Sequence, residues 1–309
     1  SNPLFVECIC YNKNMTHETK VVIQEEHSNI SLIERDNRIL FQKEAGDLKD
    51  SSENINEKLT VDQIINFSIT VPIQTLSFLT KAVQMNMAIS KEGLEGDYGL
   101  KIGKTMLLQS NHDDYHSCLS SYVVALTASA ADARMSGCVL PAMSNSGSGN
   151  QGINATIPIV VYAQKMHIEE EKMLRSLAMS HLLAIHIKSY LGRLSALCGI
   201  VAASTGVAAG LTNLMGGSKE AIVLSMKNLI ANLTGMICDG AKPGCALKVA
   251  SGVNAAYLAA RLAIAGNGAT ENDGIIEEDI ENTIKNLANI GSQAMKITDE
   301  YILNIMVCK

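Results

Sequence analysis

The sequence predicts a mainly α protein in which a small α+β portion with antiparallel strands precedes a large helical domain. Aromatic residues make up only 4% of the chain and Trp is absent, while Gly and Met number 23 and 14, a composition typical of closely packed helices. Alternating apolar and polar residues are confined to roughly the first 45 positions, and helical periodicity follows them. A polar stretch separates the two patterns, which indicates two structural units of unequal size.

The N-terminal strands are predicted from an alternation with a period of two residues. It begins in FVECICY and continues in KVVIQEE, NISLIER and RILFQK, which have the length and composition of β-strands. Asp36 and Asn37, between the last two runs, favour a tight hairpin turn because both residue types tolerate positive φ. Residues 44–56 read EAGDLKDSSENIN, which is typical of a linker. We therefore assign residues 1–56 to a small α+β domain plus its linker, and residues 57–309 to an all-α domain.

The helical domain is predicted to begin at a capping box. Thr60 and Gln63 stand ahead of an apolar run at the spacing that lets each side chain accept from the other residue's backbone N–H. Pro72 then opens PIQTLSFLTKAVQMNMAIS, which we predict as one helix because proline suits a first helical turn. Further helices are predicted over residues 117–135, 169–190, 193–211, 218–235, 246–265 and 277–306.

Charge and cysteine usage limit the classes of function. The net charge is −6, and Lys and Arg form no cluster, which argues against a nucleic-acid surface. The first residues lack the charged and apolar regions of a signal peptide. Eight scattered cysteines are then expected to be reduced thiols or ligands rather than disulfides. We expect a cytoplasmic protein whose partner is a small molecule. Whether it forms a homo-oligomer is left open by the sequence.

One uncharged segment raises the question of a membrane span. Residues 194–217 carry no charge and are long enough to cross a bilayer core of about 30 Å. They include Gly, Ser, Thr and Asn, and neither a basic loop nor an aromatic belt flanks them, which argues against insertion. A helix that is apolar on all sides is otherwise buried inside a protein. We therefore predict a fully buried helix with Cys198 at its centre, and no membrane association.

Three cysteines of the C-terminal half are candidate ligands. Cys238 and Cys245 bracket the loop DGAKPG, and Cys198 lies in the uncharged segment. The spacing does not match a structural zinc site, which would need a second close pair of Cys or His. An iron–sulfur cluster needs thiolates together with backbone amides that donate to sulfur. A Gly-containing loop with a cysteine at each end supplies both. The alternative is that all three are small buried apolar residues, the usual role of a free cysteine.

A second candidate site is the stretch SNSGSGNQG at residues 144–152. It contains G-x-G-x-x-G, but no parallel strand is predicted before it and no βαβ unit surrounds it, so dinucleotide binding is not expected. Its unshielded backbone N–H groups, hydroxyls and amides suit a carboxylate instead. The alternative is a plain Gly/Ser turn between two helices. The candidate substrate-binding residues are Ser144, Asn145, Ser146, Gly147, Ser148, Gly149 and Asn150.

Charged residues close to this stretch have two interpretations. Asp132 and Arg134 are expected to pair either with the loop or a substrate, or with each other as an ordinary ion pair. His181 and His186 stand five positions apart in a predicted helix, so they do not share one face as ligands four apart would. We interpret both histidines as structural.

Three ordered motifs carry a resemblance to a known family. ADARMSGCVLPAMSNSGSGNQGI, LSALCGIVAAS and MICDGAKPGCALK closely resemble the L-cysteine desulfidase family, relatives of the iron–sulfur L-serine dehydratase α chain. The resemblance covers nearly the whole chain. It implies that Cys198, Cys238 and Cys245 bind a [4Fe-4S] cluster with one open iron, and that residues 144–150 bind the substrate. It also implies a lyase without pyridoxal phosphate that converts L-cysteine to pyruvate, ammonia and sulfide, with L-serine as the alternative substrate.

The chain also departs from the family pattern. Members carry a G-C-T-E-P motif whose cysteine is thought to act as the base, and residues 1–309 contain no such motif. We therefore expect that residues 1–56 are the remainder of the α+β domain, that the N-terminal region is lacking, and that this chain alone shows barely detectable turnover. The base is unassigned, with Cys8, Cys10 and Lys242 as candidates if turnover persists.

Two further interpretations stay open. Cys308 near the C-terminus resembles the tail cysteine that occupies the open iron in some serine dehydratases, and a simple helix end is the alternative. The alternative to an enzyme is a different class of function, a non-catalytic helical sensor or scaffold.

Overall fold

The computed structural model describes residues 5–24, 29–43, 59–109, 119–192 and 195–308. The chain divides into two compact units, Ser1–Ile55 and Asn56–Lys309. The first unit contains a small antiparallel sheet and the second consists of helices. The predicted fold class, mainly α with a small antiparallel portion in front, is confirmed.

The sheet is a four-stranded meander. Its strands are β1 (Phe5–Tyr11), β2 (Glu18–Gln24), β3 (Ile30–Arg35) and β4 (Arg38–Gln42). They are hydrogen-bonded in sequence order, and every neighbouring pair is antiparallel. Asp36 and Asn37 have φ of 50° and 63°, as a two-residue hairpin turn with the twist of the strands requires. Cys8 and Cys10 lie on the same side of β1 with their Sγ atoms 4.0 Å apart.

The helical unit follows the sequence predictions in outline. Its helices are α1 (Val61–Thr70), α2 (Ile73–Leu76), α3 (Leu79–Glu95), α4 (Ile102–Gln109), α5 (Leu119–Met135), α6 (Gly149–Lys165), α7 (Glu170–Leu191), α8 (Gly199–Leu214), α9 (Lys219–Leu233), α10 (Cys245–Ile264), α11 (Ile280–Asn289) and α12 (Lys296–Val307). The Thr60–Gln63 capping box opens α1 as predicted. Residue Ser218 caps α9 through its side chain.

Helix α8 forms the centre of this unit. It packs against α6, α7, α9 and α10, and nearly all of its residues are buried. Small residues permit this packing: a Cβ added at Gly206 would lie 2.2 Å from the carbonyl oxygen of Ser180 in α7. The uncharged segment is therefore a buried helix, as predicted. In the described ranges, no helix has both the length and the hydropathy needed to cross a membrane.

Several predicted helix boundaries are wrong. The segment after Pro72 is two helices, because the chain is interrupted at Ser77, whose hydroxyl donates to the Gln74 carbonyl at 2.8 Å. The segment predicted over residues 277–306 is divided into α11 and α12 by a π-helical turn, Ile290–Ala294. In that turn a Cβ added at Gly291 would lie 2.6 Å from Leu191, so close packing accompanies the irregularity.

Two helices were not predicted. Helix α4 is short, and α6 begins inside the Gly/Ser stretch and contains Pro158. Residues 149–152 therefore belong to a helix rather than to a long turn. The described part of Ser144–Gly152 that remains a turn is short and ends at Ser148, the N-cap of α6.

Candidate functional site

A short antiparallel bridge brings two of the predicted cysteine ligands together. The Cys198 N–H donates to the Met236 carbonyl at 2.9 Å, and the Cys238 N–H donates to the Ala196 carbonyl at 2.6 Å. The predicted position of Cys198 at the centre of a helix is wrong, because this residue is the extended N-cap of α8, with φ −63° and ψ 128°. Its backbone is extended because it pairs with the segment that follows α9.

Helices α8 and α9 explain why residues so distant in sequence meet. Cys198 precedes α8, and Cys238 follows α9 after a short connection. The two helices contain 16 and 15 residues and therefore have nearly equal lengths at 1.5 Å per residue. They pack against each other, so α9 returns the chain to the level at which α8 began.

The thiols of Cys198 and Cys238 share a hydrogen bond. Cys198 is only 7% exposed, and its pKa is raised by its hydrogen bond with Cys238 and by burial. The same hydrogen bond lowers the pKa of Cys238 to about 6, with further contributions from the Gly240 N–H and Lys248. The pair therefore favours a proton on Cys198 and negative charge on Cys238.

Cys245 lies at the other end of the loop between the predicted ligands. It is the first residue of α10, and its Sγ donates to the Gly240 carbonyl at 3.4 Å. Gly240 thus contacts Cys245 through its carbonyl and Cys238 through its N–H, which its φ of 87° permits. Across the described ranges, no three His, Cys, Asp or Glu side chains lie close enough to hold a single metal ion.

Positive charge surrounds the paired thiols. Lys242 and Lys248 both form ion pairs with the carboxylate of Asp239, and they lower its pKa to about 2. Lys188 in α7 is 8% exposed and lies near both thiols, and burial lowers its pKa. Thiolate donors, an N–H directed at sulfur and nearby cations match the donor set of an anionic iron–sulfur cluster. The residues present therefore fit such a group chemically, with Cys198 and Cys238 in contact and Cys245 displaced from them.

The Gly/Ser stretch forms a tight turn at the start of α6. Asn145 and Ser148 exchange backbone hydrogen bonds of 3.1 and 2.9 Å, and Ser146 and Gly147 between them have φ of 49° and 79°. The Ser148 hydroxyl accepts from the N–H of Gln151 at 3.4 Å. The Gly152 N–H donates to the Ser148 carbonyl at 3.1 Å, so the N–H groups of Gly149 and Asn150 are the ones that have no acceptor within the helix. A helix start of this kind suits an anion.

Arg134 lies against this helix start. Its Nη1 donates to the Asn150 Oδ1 at 3.2 Å, and a Cβ added at Gly149 would lie 2.1 Å from its Nε. Arg134 also lies in the last turn of α5, where a cation is favourable, so one guanidinium is held between the end of α5 and the start of α6. Asp132 does not form an ion pair with Arg134 in the described structure. Its carboxylate accepts from the N–H groups of Leu100 at 3.1 Å and Ile102 at 2.7 Å instead.

His181 fixes the orientation of the turn. Its Nδ1 lies 3.0 Å from the Asn145 Nδ2, and its Nε2 lies 3.0 Å from the Thr156 Oγ1. Because the Asn145 amide donates, Nδ1 is the acceptor. The Thr156 hydroxyl donates to the Gly152 carbonyl at 2.7 Å, so it accepts from Nε2–H. Burial lowers the pKa of His181 to about 4, which is consistent with this neutral tautomer.

Two residues that support the turn were not predicted from the sequence. His181 was interpreted as structural without a partner, whereas it contacts Asn145 of the candidate substrate loop. Asn86 in α3, fully buried, accepts from the Met143 N–H at 2.9 Å and donates to the Gly152 carbonyl at 3.2 Å. A buried Asn in a predicted helix was the available signal, because buried polar side chains are almost always hydrogen-bonded. By contrast the Nε2 of His186 lies 2.9 Å from the Oε2 of Glu281, a structural hydrogen bond.

One contact links the start of α6 to the cysteines. A Cβ added at Gly199 would lie 2.6 Å from the Nε2 and 2.7 Å from the Cδ of Gln151. Gly199 directly follows Cys198, so the first turn of α6 lies beside the start of α8. The Oε1 atom of Gln151 is buried and has no hydrogen-bond partner within the described residues.

The helical unit thus places a pair of cysteines beside the Gly/Ser turn that begins α6. The family described as serine dehydratase alpha chain matches residues 13–304. The chain belongs to this family, whose membership supports a dehydratase-like, lyase function.

Similar proteins come from several bacteria. The UPF0597 protein BF3560 of Bacteroides fragilis is 42% identical over 306 residues, which cover 99% of this chain and 71% of the relative. The UPF0597 protein of Oleidesulfovibrio alaskensis is 44% identical over 293 residues, covering 95% of this chain and 68% of the relative. The UPF0597 protein of Clostridium perfringens is 41% identical over 295 residues, covering 95% and 69%. No solved structure matches the chain significantly.

Proposed function

We propose that the protein catalyses an iron–sulfur-dependent α,β-elimination on a small amino acid, with L-cysteine converted to pyruvate, ammonia and sulfide. The contact between Gln151 and Gly199 carries the proposal. It joins a helix start that suits a carboxylate to a pair of thiols that suits a metal cluster. An elimination of this type needs a carboxylate-binding element and a cluster-binding element that contact the same small substrate.

The cysteine side of the site supplies the cluster ligands in this proposal. Cys198, Cys238 and Cys245 would hold a [4Fe-4S] cluster, and pyridoxal phosphate is not required. When bound, the cluster supplies a Lewis acid for the leaving thiol or hydroxyl. The chain contributes the thiolate of Cys238, the Gly240 N–H directed at its sulfur, and neighbouring lysine charges.

The α6 side of the site binds the carboxylate of the substrate. The free N–H groups of the first turn and the guanidinium of Arg134 together attract one negative charge. His181 holds the Asn145 side chain in place, so the turn is oriented before a ligand arrives. The proposed substrate-binding residues are Ser144, Asn145, Ser146, Gly147, Ser148, Gly149 and Asn150.

The base that removes the α-proton is not assigned to any residue of this chain. As the proton leaves Cα, the Cα–H electron pair forms the double bond and the bond from Cβ to sulfur breaks, which releases sulfide. The resulting enamine then hydrolyses to pyruvate and ammonia. A general base contributes about 10²–10⁴-fold, so this chain alone should release pyruvate far more slowly than a form that carries a G-C-T-E-P region. Equal rates would place the base within this chain, with Cys8, Cys10 and Lys242 as candidates.

L-Serine is the second candidate substrate. The description of the matching family names serine dehydratase, and the hydroxyl of serine replaces the thiol at the same position of the substrate. The carboxylate and ammonium groups are identical in the two amino acids, so the α6 side of the site would bind them equally.

The decisive experiment is anaerobic reconstitution of the full-length protein with iron and sulfide, followed by pyruvate and sulfide assays. L-Cysteine and L-serine are tested in parallel. The Cys238→Ser variant should lose turnover, whereas Cys138→Ser, which changes a partly buried thiol beside Tyr98, should retain it. A protein that takes up the cluster and binds both amino acids without turnover would instead support a sensor or scaffold.

A further inference from the structure

The first turn of α6 contains a buried acceptor for which the described part of the chain provides no donor. Gln151 is 5% exposed, and its Oε1 has no hydrogen-bond partner within the described ranges. A buried carbonyl oxygen without a donor is destabilising, and native proteins rarely retain one without a reason. A partner that is not part of the chain, such as a ligand, would satisfy it.

The neighbours of Gln151 indicate the chemistry of that partner. On one side, α6 begins with free N–H groups and the guanidinium of Arg134 next to Gly149, which suit a carboxylate. On the other side, Gln151 touches Gly199, the residue after Cys198. The unsatisfied acceptor therefore lies between a carboxylate-binding element and a thiol-bearing element.

An α-amino acid presents three matching groups on one carbon. Its carboxylate suits the start of α6, its side chain extends toward the cysteines, and its ammonium group carries three N–H donors. A neutral amide oxygen that accepts from a cation forms a charge-assisted hydrogen bond, which is stronger than a bond between neutral groups.

We propose that the Oε1 of Gln151 accepts a hydrogen bond from the ammonium group of the bound amino acid and so distinguishes amino acids from simple carboxylic acids. This inference rests on the proposed function only in that the site binds an amino acid, and it does not require turnover. It adds to the proposed carboxylate-binding loop a residue that recognises a different group of the substrate.

Asn154 offers a comparison one turn further along α6. Its Oδ1 is also buried without a partner in the described structure. However, its Nδ2 donates to the Ser204 Oγ at 2.9 Å, so the protein already holds this side chain. Asn154 is fully buried, and replacing it tests the general effect of changing a buried amide on α6.

The test measures the binding of two unreactive probes to the full-length protein, L-alanine and propionate, which differ only in the ammonium group. The wild type should prefer L-alanine by roughly 10–100-fold, the range of one hydrogen bond to a charged group. In Gln151→Met this preference should disappear, while propionate binding is retained. The melting temperature of the ligand-free variant should not fall, because the substitution removes an unsatisfied polar atom and conserves most of the volume.

Two further variants complete the test. Gln151→Glu keeps an acceptor at the same position and should retain the preference even if the Met variant fails to fold. Asn154→Leu should lower the melting temperature, because it removes the bond to Ser204, but should retain the preference. Loss of the preference in Gln151→Glu would overturn the proposal.

The two proposals fail in different ways. If Gln151→Met still prefers L-alanine, Gln151 does not bind the ammonium group, while the amino-acid site itself stands. If the wild type binds neither probe, the amino-acid site and this inference are both overturned.

Discussion

The two sides of the candidate site are held by different interactions. On the sulfur side, Cys238 contacts a second thiol, and Asp239 pairs with two lysines. On the α6 side, Asn145 is held by the neutral imidazole of His181 and by backbone bonds within the turn. The sulfur side is therefore sensitive to charge and to pH near neutrality, whereas the α6 side keeps its geometry until the pH falls well below neutrality. The sulfur side is therefore the pH-sensitive part of the candidate site, and the α6 side is its rigid part.

The largest effect is expected from removing a thiol on the sulfur side. In Cys198→Ser or Cys238→Ser, a proposed cluster ligand is lost, and turnover by the reconstituted full-length protein should fall by more than about 100-fold. Iron content should fall with it. L-Alanine binding should remain, because the α6 side is unchanged. Cys138→Ser serves as the control, and a Cys238→Ser variant with full activity would contradict the role of this side.

The second prediction concerns the pH dependence of stability on the α6 side. The pKa of His181 is about 4 in the folded protein against roughly 6.5 in an unfolded chain. Because the folded protein protonates His181 less readily than the unfolded chain does, the free energy of unfolding is highest above about pH 6.5, where the imidazole is neutral in both states. This part of the stability is lost as the pH falls from about 6.5 to 4. The loss amounts to as much as ~3 kcal/mol in the free energy of unfolding.

Chemical denaturation at a series of pH values measures this loss. His181→Asn should lack this part of the pH dependence. The control is His167→Asn, whose side chain is exposed and which should follow the wild-type profile. A His181→Asn variant with an unchanged profile would show that His181 does not set the stability of the turn.

The third prediction separates binding from chemistry. In Arg134→Met, the substrate carboxylate loses a charge-assisted partner, so KM should rise by roughly 10–100-fold, equivalent to about 1.5–3 kcal/mol. The cluster content should not change. Steady-state kinetics with L-cysteine measure the effect, and Arg261→Met, at an exposed position on α10, is the control. An unchanged KM would show that Arg134 only supports the turn.

The smallest effect is expected at Lys248. Its positive charge is one of the groups that keep the pKa of Cys238 low, after the hydrogen bond from Cys198 and the N–H of Gly240. Lys248→Met should therefore raise the pKa of Cys238 by about one unit. The pH dependence of alkylation of the cluster-free protein measures this shift. The exposed Lys285→Met is the control, and an unchanged alkylation profile in Lys248→Met would contradict the charge-based account of the sulfur side.

Local signals in the sequence identified much of the fold. The capping box at Thr60, the turn at Asp36–Asn37 and the buried uncharged helix depend on neighbouring residues, and all three are confirmed. Helix α6 was missed because a Gly-rich start and an internal Pro158 disfavour helix. Burial of residues 149–163 on all sides outweighs that local preference.

The arrangement of the site depends on contacts between distant residues. Cys198 is extended because it pairs with residues near 236, and no local pattern reports that pairing. His181 and Asn86 lie in helices far from the turn in sequence, so their roles follow only from packing. The sequence therefore named the candidate residues, whereas the contacts of Cys198, His181 and Asn86 that support them follow only from the fold.

The equal lengths of α8 and α9 have a consequence for biogenesis. The bridge between Cys198 and Cys238 closes only when both helices have formed and packed, because the intervening chain is folded back as one hairpin. Local helix pairs form before contacts of higher sequence separation. On the ribosome, the chain must extend beyond α9 before the two thiols can meet, and only a finished hairpin presents them together. If the proposed cluster is bound here, delivery of iron and sulfide is therefore expected to follow translation of this segment rather than accompany it.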